Sequence, residues 1–135
     1  LAKAQSIENP VYHVQYAHAR VCSVLRQLEQ RRLTFDQETG LAVLPLLTEP
    51  AEYELMGLLA GYPDIVRRAA LVHEPHRLTG YLRDLANGLH SYYSAHKVVV
   101  DNDELRHARM CLLLAVRQVL GNGLSLIGVS TPEVM

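Results

Sequence analysis

Several residue types are scarce or missing in this sequence of 135 residues. It has no Trp, one Phe and two Cys, and the cysteines Cys22 and Cys111 lie far apart in the chain. Each falls inside an apolar helical pattern, which favours buried free thiols in a reducing compartment over a disulfide. No apolar run approaches the roughly 18 residues of a membrane span, and we see no signal peptide. We therefore expect a cytoplasmic protein that is not bound to a membrane.

A strong charge of either sign is also missing. The formal net charge is −1 with His neutral, charged residues make up 20% of the chain, and hydrophobic residues make up 49%. Sequence-blind binding to nucleic acid needs a strongly basic surface, so this composition argues against it while leaving room for a small local site. The length and the apolar content are those of one ordinary globular domain.

The common catalytic motifs are absent as well. The sequence contains no GxxxxGK[ST] phosphate loop, no GxSxG elbow, no HExxH pair and no CxxC pair. Seven His residues are present, but no two share a helix face with a third ligand nearby. The carboxylates are scattered, mostly at expected helix starts and on solvated faces. We therefore predict no catalytic residue, no metal site and no cofactor in this chain.

What the sequence does have is a long helix near its start. Asn9 is a good N-cap, and Pro10 suits the first helical position because its missing N–H is not needed there. The interior of the predicted helix, 10–32, contains neither Gly nor Pro. At about 100° per residue, one apolar face emerges. The residues of this predicted buried face are Val14, Ala17, Val21, Val24, Leu25 and Leu28.

Four further helices follow in the predicted fold. Pro, Gly and acidic residues separate apolar helical patterns at about 51–60, 63–72, 76–99 and 103–127, with a loop at 33–48. Residues 1–8 are expected to be a lead-in or linker, and 129–135 a short extended tail. Gly121 and Gly123, inside the last helical pattern, indicate close packing between helices. We therefore predict an all-α fold: an antiparallel bundle of about five helices over residues 9–135.

The polar face of the first helix allows two interpretations. Tyr12, Tyr16 and Arg20 follow one another at intervals of four residues, away from the apolar face. Tyrosine rings beside an arginine can stack on unpaired bases and hydrogen-bond to their edges or phosphates. The alternative is a solvated helix face whose Tyr and Arg side chains lie over apolar neighbours. Periodicity alone favours the alternative.

Longer stretches of sequence carry a resemblance to a known family. The segment NPVYHVQYAHAR begins at Asn9, LLTEPAEYELMGLL and EPHRLTGYLRDLANGLHSYY follow, and the sequence ends with STPEVM. In this order they resemble the C-terminal, DALR-type anticodon-binding domain of arginyl-tRNA synthetases. The resemblance covers nearly the whole chain. It implies an all-helical domain that docks the anticodon loop of arginine tRNA.

The resemblance also implies a binding site. It places Tyr16 and Arg20 of the first helix, Tyr93 of the YYSA segment and the terminal Met135 against the anticodon loop. The implied full-length enzyme is an arginine–tRNA ligase that uses ATP and Mg²⁺. Its catalytic motifs are absent here, so we expect this fragment to have no ligase activity.

Some positions depart from the family pattern. His13 and Val134 stand where Tyr and Arg are usual, so a contact made by the Arg is in doubt here. Ser94 and His96 replace the common Asn and Cys beside Tyr93. A rival interpretation is a helical protein-interaction or dimerisation module, which would bury the exposed tyrosines against protein and show no preference for RNA. We expect the chain to be a monomer.

Overall fold

The computed structural model describes residues 9–135, and within this range the chain forms helices and no strands. Five helices have ten residues or more, so the predicted all-α bundle of about five helices is confirmed. The predicted lead-in, 1–8, lies outside the described residues. No helix in the described range is long and apolar enough to cross a membrane. The elements are α1 (Pro10–Gln30), α2 (Gln37–Ala42), a 3₁₀ turn (Leu44–Leu46), α3 (Pro50–Ala60), α4 (Tyr62–Leu71), α5 (His76–Ala95) and α6 (Asp103–Leu126).

Helix α1 starts where the capping residues predict. The Asn9 side chain accepts a hydrogen bond from the backbone N–H of Val11 at 3.0 Å, and Pro10 occupies the first turn. The helix ends at Gln30, two residues earlier than expected. Its predicted apolar face is buried, except that Leu25 is only half-buried. This face packs against α5 and α6, and these three helices form the centre of the bundle.

The predicted loop at 33–48 is wrong in part, because it contains α2 and the 3₁₀ turn. The Asp36 carboxylate caps α2 by accepting from the Thr39 backbone N–H at 2.9 Å. Helix α2 packs against α6 through Gly40, where an added Cβ would lie 2.3 Å from the Cys111 Sγ and 2.7 Å from the His107 carbonyl oxygen. Only Gly allows the two helices to approach this closely. The segment therefore covers α6 as a short helical layer.

Helix α4 is less buried than its pattern suggested. The sequence predicted a buried side, but no α4 residue is fully buried. Ile65 and Val66 are half-buried, Ala70 is exposed, and Val72, just beyond the helix, is 50% exposed. The reason is that α4 lies at the edge of the bundle, where it packs mainly on α5 and less on α3. One half-covered face is enough to hold a short helix there.

A buried polar network joins α3, α5 and α6. Glu52 lies in the first turn of α3, so it marks a helix start as expected, but its side chain is fully buried. One carboxylate oxygen accepts from the Tyr92 hydroxyl at 2.5 Å and from Arg109 Nε at 3.1 Å. The other accepts from the backbone N–H of Glu49 at 3.0 Å, as part of a capping box. Burial and the hydrogen bond to Glu52 raise the pKa of Tyr92 well above its usual value, so its hydroxyl remains a donor.

The cysteines and the glycines of α6 agree with the sequence. Cys22 and Cys111 are both buried and free. Gly123 lies against Leu82 of α5, and a Cβ at this position would be 2.4 Å from the Leu82 Cδ2. A Cβ at Gly121 would lie 3.7 Å from the His18 Nε2, which is an ordinary contact distance. The close packing of α6 that the sequence predicted is therefore confirmed at Gly123 but not at Gly121.

Candidate functional site

The four residues singled out in the sequence line a single surface cavity. Tyr16 and Arg20 come from α1, Tyr93 comes from α5, and Met135 comes from the C-terminal tail. The cavity has a volume of about 210 Å³. We call it the tyrosine cavity, and its remaining lining residues are Ala19, Ser23, Arg26 and Val134. The structure therefore brings together residues that lie up to 119 positions apart (135 minus 16) in the sequence.

Helix geometry explains the contribution of α1. Tyr16, Arg20 and Ser23 are spaced by four and three residues, so they lie above one another on one face. Val14, Ala17 and Val21, on the opposite side, are buried in the core and fix the rotation of the helix. The burial of one face therefore turns the other face toward the cavity.

Arg20 lies between the two aromatic rings of the cavity. Its guanidinium carbon is 4.5 Å from the centroid of the Tyr93 ring and 5.2 Å from that of the Tyr16 ring. Both distances fall within the roughly 6 Å range of a cation–π contact. The helical pattern pointed to Tyr16 as a stacking surface, and the resemblance added Tyr93. In the structure the flat Arg20 guanidinium lies over both rings, and all three side chains line the tyrosine cavity.

His90 of α5 also contacts the Arg20 guanidinium. Arg20 Nη1 donates to His90 Nδ1 at 3.3 Å. Burial lowers the pKa of His90 to about 4, with smaller contributions from nearby His13 and Arg20. The imidazole is therefore neutral at pH 7, and its Nδ1 is free to accept from the guanidinium. His13 packs on the same ring at 4.8 Å between centroids, and its Nε2 lies 2.6 Å from the Asn87 Oδ1.

The C-terminal tail reaches the cavity because α1 holds it at two points. Gln15 Nε2 donates to the Ser130 carbonyl oxygen at 2.9 Å, and Arg26 Nη1 donates to the Glu133 carbonyl oxygen at 3.3 Å. The last helical turn of α6 also binds the tail, since the Val129 N–H donates to the Leu124 carbonyl oxygen at 2.9 Å. These bonds carry the chain along α1 toward the cavity.

The buried network supports the α5 side of the cavity. Tyr92, which hydrogen-bonds to Glu52, directly precedes Tyr93. Arg109 Nη1 donates to the Lys97 carbonyl oxygen at 2.6 Å, just after the helix ends. His96 stacks on the Tyr92 ring with 5.1 Å between centroids. The end of α5 is thus fixed on both sides of Tyr93, although Ser94 and His96 depart from the family pattern.

Sequence reasoning missed three residues of this site. Ser23 and Arg26 line the cavity, and His90 orients Arg20. The helical spacing from Tyr16 could have indicated Ser23. Nothing in the sequence indicates His90, because its contact with Arg20 joins residues 70 positions apart. Tyr12 lies 6.4 Å from Tyr16 between ring centroids but does not line the cavity.

Chemically, the tyrosine cavity offers flat surfaces and donors. Its walls provide two phenol rings, two guanidinium groups and a hydroxyl, but no carboxylate side chain. In the described part of the chain, no three His, Cys, Asp or Glu side chains are grouped closely enough to hold a metal ion. Such walls suit a planar ligand with acceptor atoms on its edge, such as an unpaired base attached to phosphate.

Comparison with known proteins identifies the family. A family model described as the DALR anticodon binding domain matches residues 14–135. This chain belongs to the DALR anticodon-binding domain family. The family is described as anticodon binding, which implies tRNA binding.

Relatives of this DALR domain include longer proteins named as ligases. The arginine–tRNA ligases of Thioalkalivibrio sulfidiphilus and Legionella pneumophila (strain Corby) are each 56% identical to it over 135 residues. The match covers 100% of this chain and 23% of each ligase. The chain thus spans less than a quarter of the length of these relatives.

Solved structures have the same fold. The Thermus thermophilus arginyl-tRNA synthetase superposes with a TM-score of 0.78 at 31% identity, over 96% of this chain and 22% of that chain. A solved structure from Campylobacter jejuni superposes with a TM-score of 0.79 at 21% identity, over 98% of this chain and 28% of that chain. These two longer chains therefore contain a domain with the same helical fold as this chain.

Proposed function

We propose that this DALR domain recognises the anticodon loop of arginine tRNA, as the anticodon-binding part of an arginine–tRNA ligase. The observation that carries the proposal is the tyrosine cavity, where Tyr16, Arg20, Tyr93 and Met135 come together. The family match and the arginine–tRNA ligase relatives support it. Ligase activity would reside in the part of a full-length enzyme that this chain does not span.

The chemistry of the cavity suits one splayed base. Arginine codons share a middle G, so their anticodons share a middle C. A cytosine can stack on the Tyr16–Arg20–Tyr93 assembly while its carbonyl oxygen accepts from a guanidinium N–H. Arg26, on the rim of the cavity, can contact one of the two phosphates that flank this base. Stacking contributes about 1–3 kcal/mol per base to affinity whatever the base, and the hydrogen bonds to the cytosine edge would supply the discrimination.

The remaining properties of the proposed enzyme follow from that assignment. ATP and Mg²⁺ would bind to the catalytic part of a full-length ligase, outside this chain. We propose that the enzyme works in the cytoplasm, as a monomer. In that full-length enzyme, this domain would select the tRNA, and the other domains would catalyse aminoacylation.

The test is an NMR titration of the chain with an anticodon stem-loop of arginine tRNA. A second stem-loop with the middle C changed to A measures base discrimination. We expect shifts centred on Tyr16, Arg20, Tyr93 and Met135, and tighter binding of the loop with C. NMR detects binding even when the dissociation constant is millimolar, so weak affinity does not conceal the result.

Substitutions locate the site. Tyr93→Ala and Arg20→Ala should each weaken binding of the C loop by about 1–3 kcal/mol, because each removes a stacking partner. Tyr53→Ala is the matched control, since Tyr53 is 58% exposed on α3 and lies outside the cavity. Wild-type binding by both cavity variants would refute the site.

Two further outcomes would decide against the function itself. Equal binding of the two loops would show that the chain contacts RNA without selecting the middle base of the anticodon. The absence of shifts at millimolar RNA would refute anticodon binding by this chain. Self-association that covers Tyr16 and Tyr93 would then favour the protein-interaction module.

A further inference from the structure

A second cavity adjoins the tyrosine cavity on the far side of Tyr93. It has a volume of about 230 Å³, and we call it the Lys97 cavity. Tyr93 lines both cavities, so its side chain forms part of the wall between them. The residues that line the Lys97 cavity are Val24, Gln27, Arg31, Tyr93, His96, Lys97, Val98 and Val99.

The polar groups of this second cavity continue the row that starts in the first one. Gln27 and Arg31 follow Ser23 on the same face of α1, at spacings of four residues. From Tyr16 to Arg31 the row covers 15 residues, which corresponds to about 22 Å along the helix. A strand of RNA that enters the tyrosine cavity and runs along α1 therefore meets the Lys97 cavity next.

The charges at the Lys97 cavity suit a phosphate. Arg31 Nη1 donates to the Val99 carbonyl oxygen at 3.4 Å, which holds its guanidinium at the rim with half of the side chain exposed. Its nearest carboxylate, on Asp101, lies 3.8 Å away and is fully exposed, so solvent screens that pair. Within residues 9–135, no carboxylate pairs with the exposed Lys97 ammonium. Two cations are thus available beside a ring.

The size of the cavity limits what it can hold. Pockets that enclose a whole small molecule measure roughly 300–1,000 Å³. The Lys97 cavity is smaller and has apolar walls at Val24, Val98 and Val99, with Gln27 as a donor and acceptor. These features fit one sugar–phosphate unit or one base edge of a longer strand better than a free nucleotide.

We propose that the Lys97 cavity is a second nucleotide subsite, which binds the phosphate that adjoins the base held in the tyrosine cavity. The proposal rests on the proposed function, since it requires that RNA occupies the first cavity. Lys97 and Arg31 bind the phosphate oxygens, and Gln27 contacts the sugar or base edge. Base selection stays with the tyrosine cavity, so the second subsite adds affinity and orientation.

The first test compares Lys97→Gln with Arg83→Gln, which removes the same charge from an exposed position on α5 that lines neither cavity. Each phosphate contact on a single strand contributes a slope of about −0.7 to log K against log salt. Lys97→Gln should weaken stem-loop binding several-fold and make the salt slope less negative by about 0.7. Arg83→Gln should retain the wild-type slope, and the preference for C over A should be unchanged in both variants.

The second test locates the phosphate. A neutral methylphosphonate replaces, one at a time, the two linkages that flank the middle nucleotide of the stem-loop. At one linkage it should weaken binding to the wild-type chain several-fold and weaken binding to Lys97→Gln less, because in that variant only the Arg31 contact remains to be lost. Equal losses in both proteins at both linkages, or a Lys97→Gln slope equal to that of Arg83→Gln, would overturn the subsite.

These outcomes separate the two proposals. If the wild-type chain binds the C loop selectively and Lys97→Gln matches Arg83→Gln, the subsite fails and anticodon recognition stands. If the wild-type chain binds neither loop, anticodon recognition fails and the subsite fails with it.

Discussion

Replacing Arg109 by Met should destabilise this domain severely, because it leaves a buried carboxylate without its cation. Glu52 is fully buried, and only 11% of the Arg109 side chain is exposed. The substitution keeps an unbranched side chain of similar length but removes the Nε–H bond to Glu52 and the Nη1–H bond to the Lys97 carbonyl oxygen. Removing one partner of a buried pair costs about 3–5 kcal/mol.

The size of this loss can be set against the whole stability of the domain. Single domains unfold with about 5–15 kcal/mol, so the variant loses a large share of its stability. For a domain of this length, 1 kcal/mol lowers the melting temperature by about 3–5 °C, which gives a fall of roughly 10–25 °C. Urea unfolding followed by circular dichroism at 222 nm measures the difference, and Arg83→Met is the exposed control.

A double-mutant cycle identifies the cause of the loss. Glu52→Gln removes the charge that Arg109 leaves unpaired, so Glu52→Gln with Arg109→Met should be less destabilised than the sum of the single variants. The network also fixes the residues around Tyr93, so Arg109→Met should weaken binding of the anticodon stem-loop as well. A loss below 1 kcal/mol for Arg109→Met, with additive effects in the cycle, would refute this account of the network.

Three further predictions concern helix packing in α5 and α6 and the response to pH. Gly80→Ala should stabilise the domain by about 0.4–1 kcal/mol, since a Cβ there meets nothing within 4 Å. Gly123→Ala should destabilise it by about 1–3 kcal/mol, because its Cβ would lie 2.4 Å from the Leu82 Cδ2. The urea midpoints of Gly80→Ala and Gly123→Ala measure both effects. Equal midpoints for the two variants would contradict the close packing of Gly123 against Leu82. The pKa of His90 is about 4 in the folded protein and about 6.5 in the unfolded chain. As the pH falls through this range, the unfolded chain therefore binds a proton at His90 that the folded protein does not bind. Stability should therefore decrease across that range, and His90→Gln should decrease less, as unfolding at pH 7 and pH 5 would show.

Local signals predicted the long helices of the fold well. The start of α1 follows from Asn9 and Pro10, and the rotation of the helix follows from its apolar periodicity. Helix α2 was missed because six residues are too few to show a period, although Asp36 followed by Thr39 is a capping signal. The burial of Glu52 was missed for another reason. Its cation, Arg109, lies 57 positions away, and only the packing of α3 on α6 joins them.

The candidate site was also predictable from the sequence only in part. The row of residues on α1 follows from helix spacing, and the resemblance added Tyr93 and Met135. The position of Arg20 over both rings could not be predicted, because it depends on how α1 packs against α5 and on His90. The path of the tail was equally hidden, since Gln15 and Ser130 are 115 positions apart. Their roles in RNA binding stay predictions until the titrations are done.

The placement of Arg20 has a consequence for the cost of recognition. A free arginine side chain loses about 2 kcal/mol of rotamer entropy when it is immobilised. Here two rings and a neutral imidazole already restrict the guanidinium in the unbound protein, so folding has met much of that cost before any ligand arrives. A pre-organised arginine gives more net affinity per contact than a mobile one. At the proposed site, a small cavity on a chain with a net charge of −1 can therefore still bind a base.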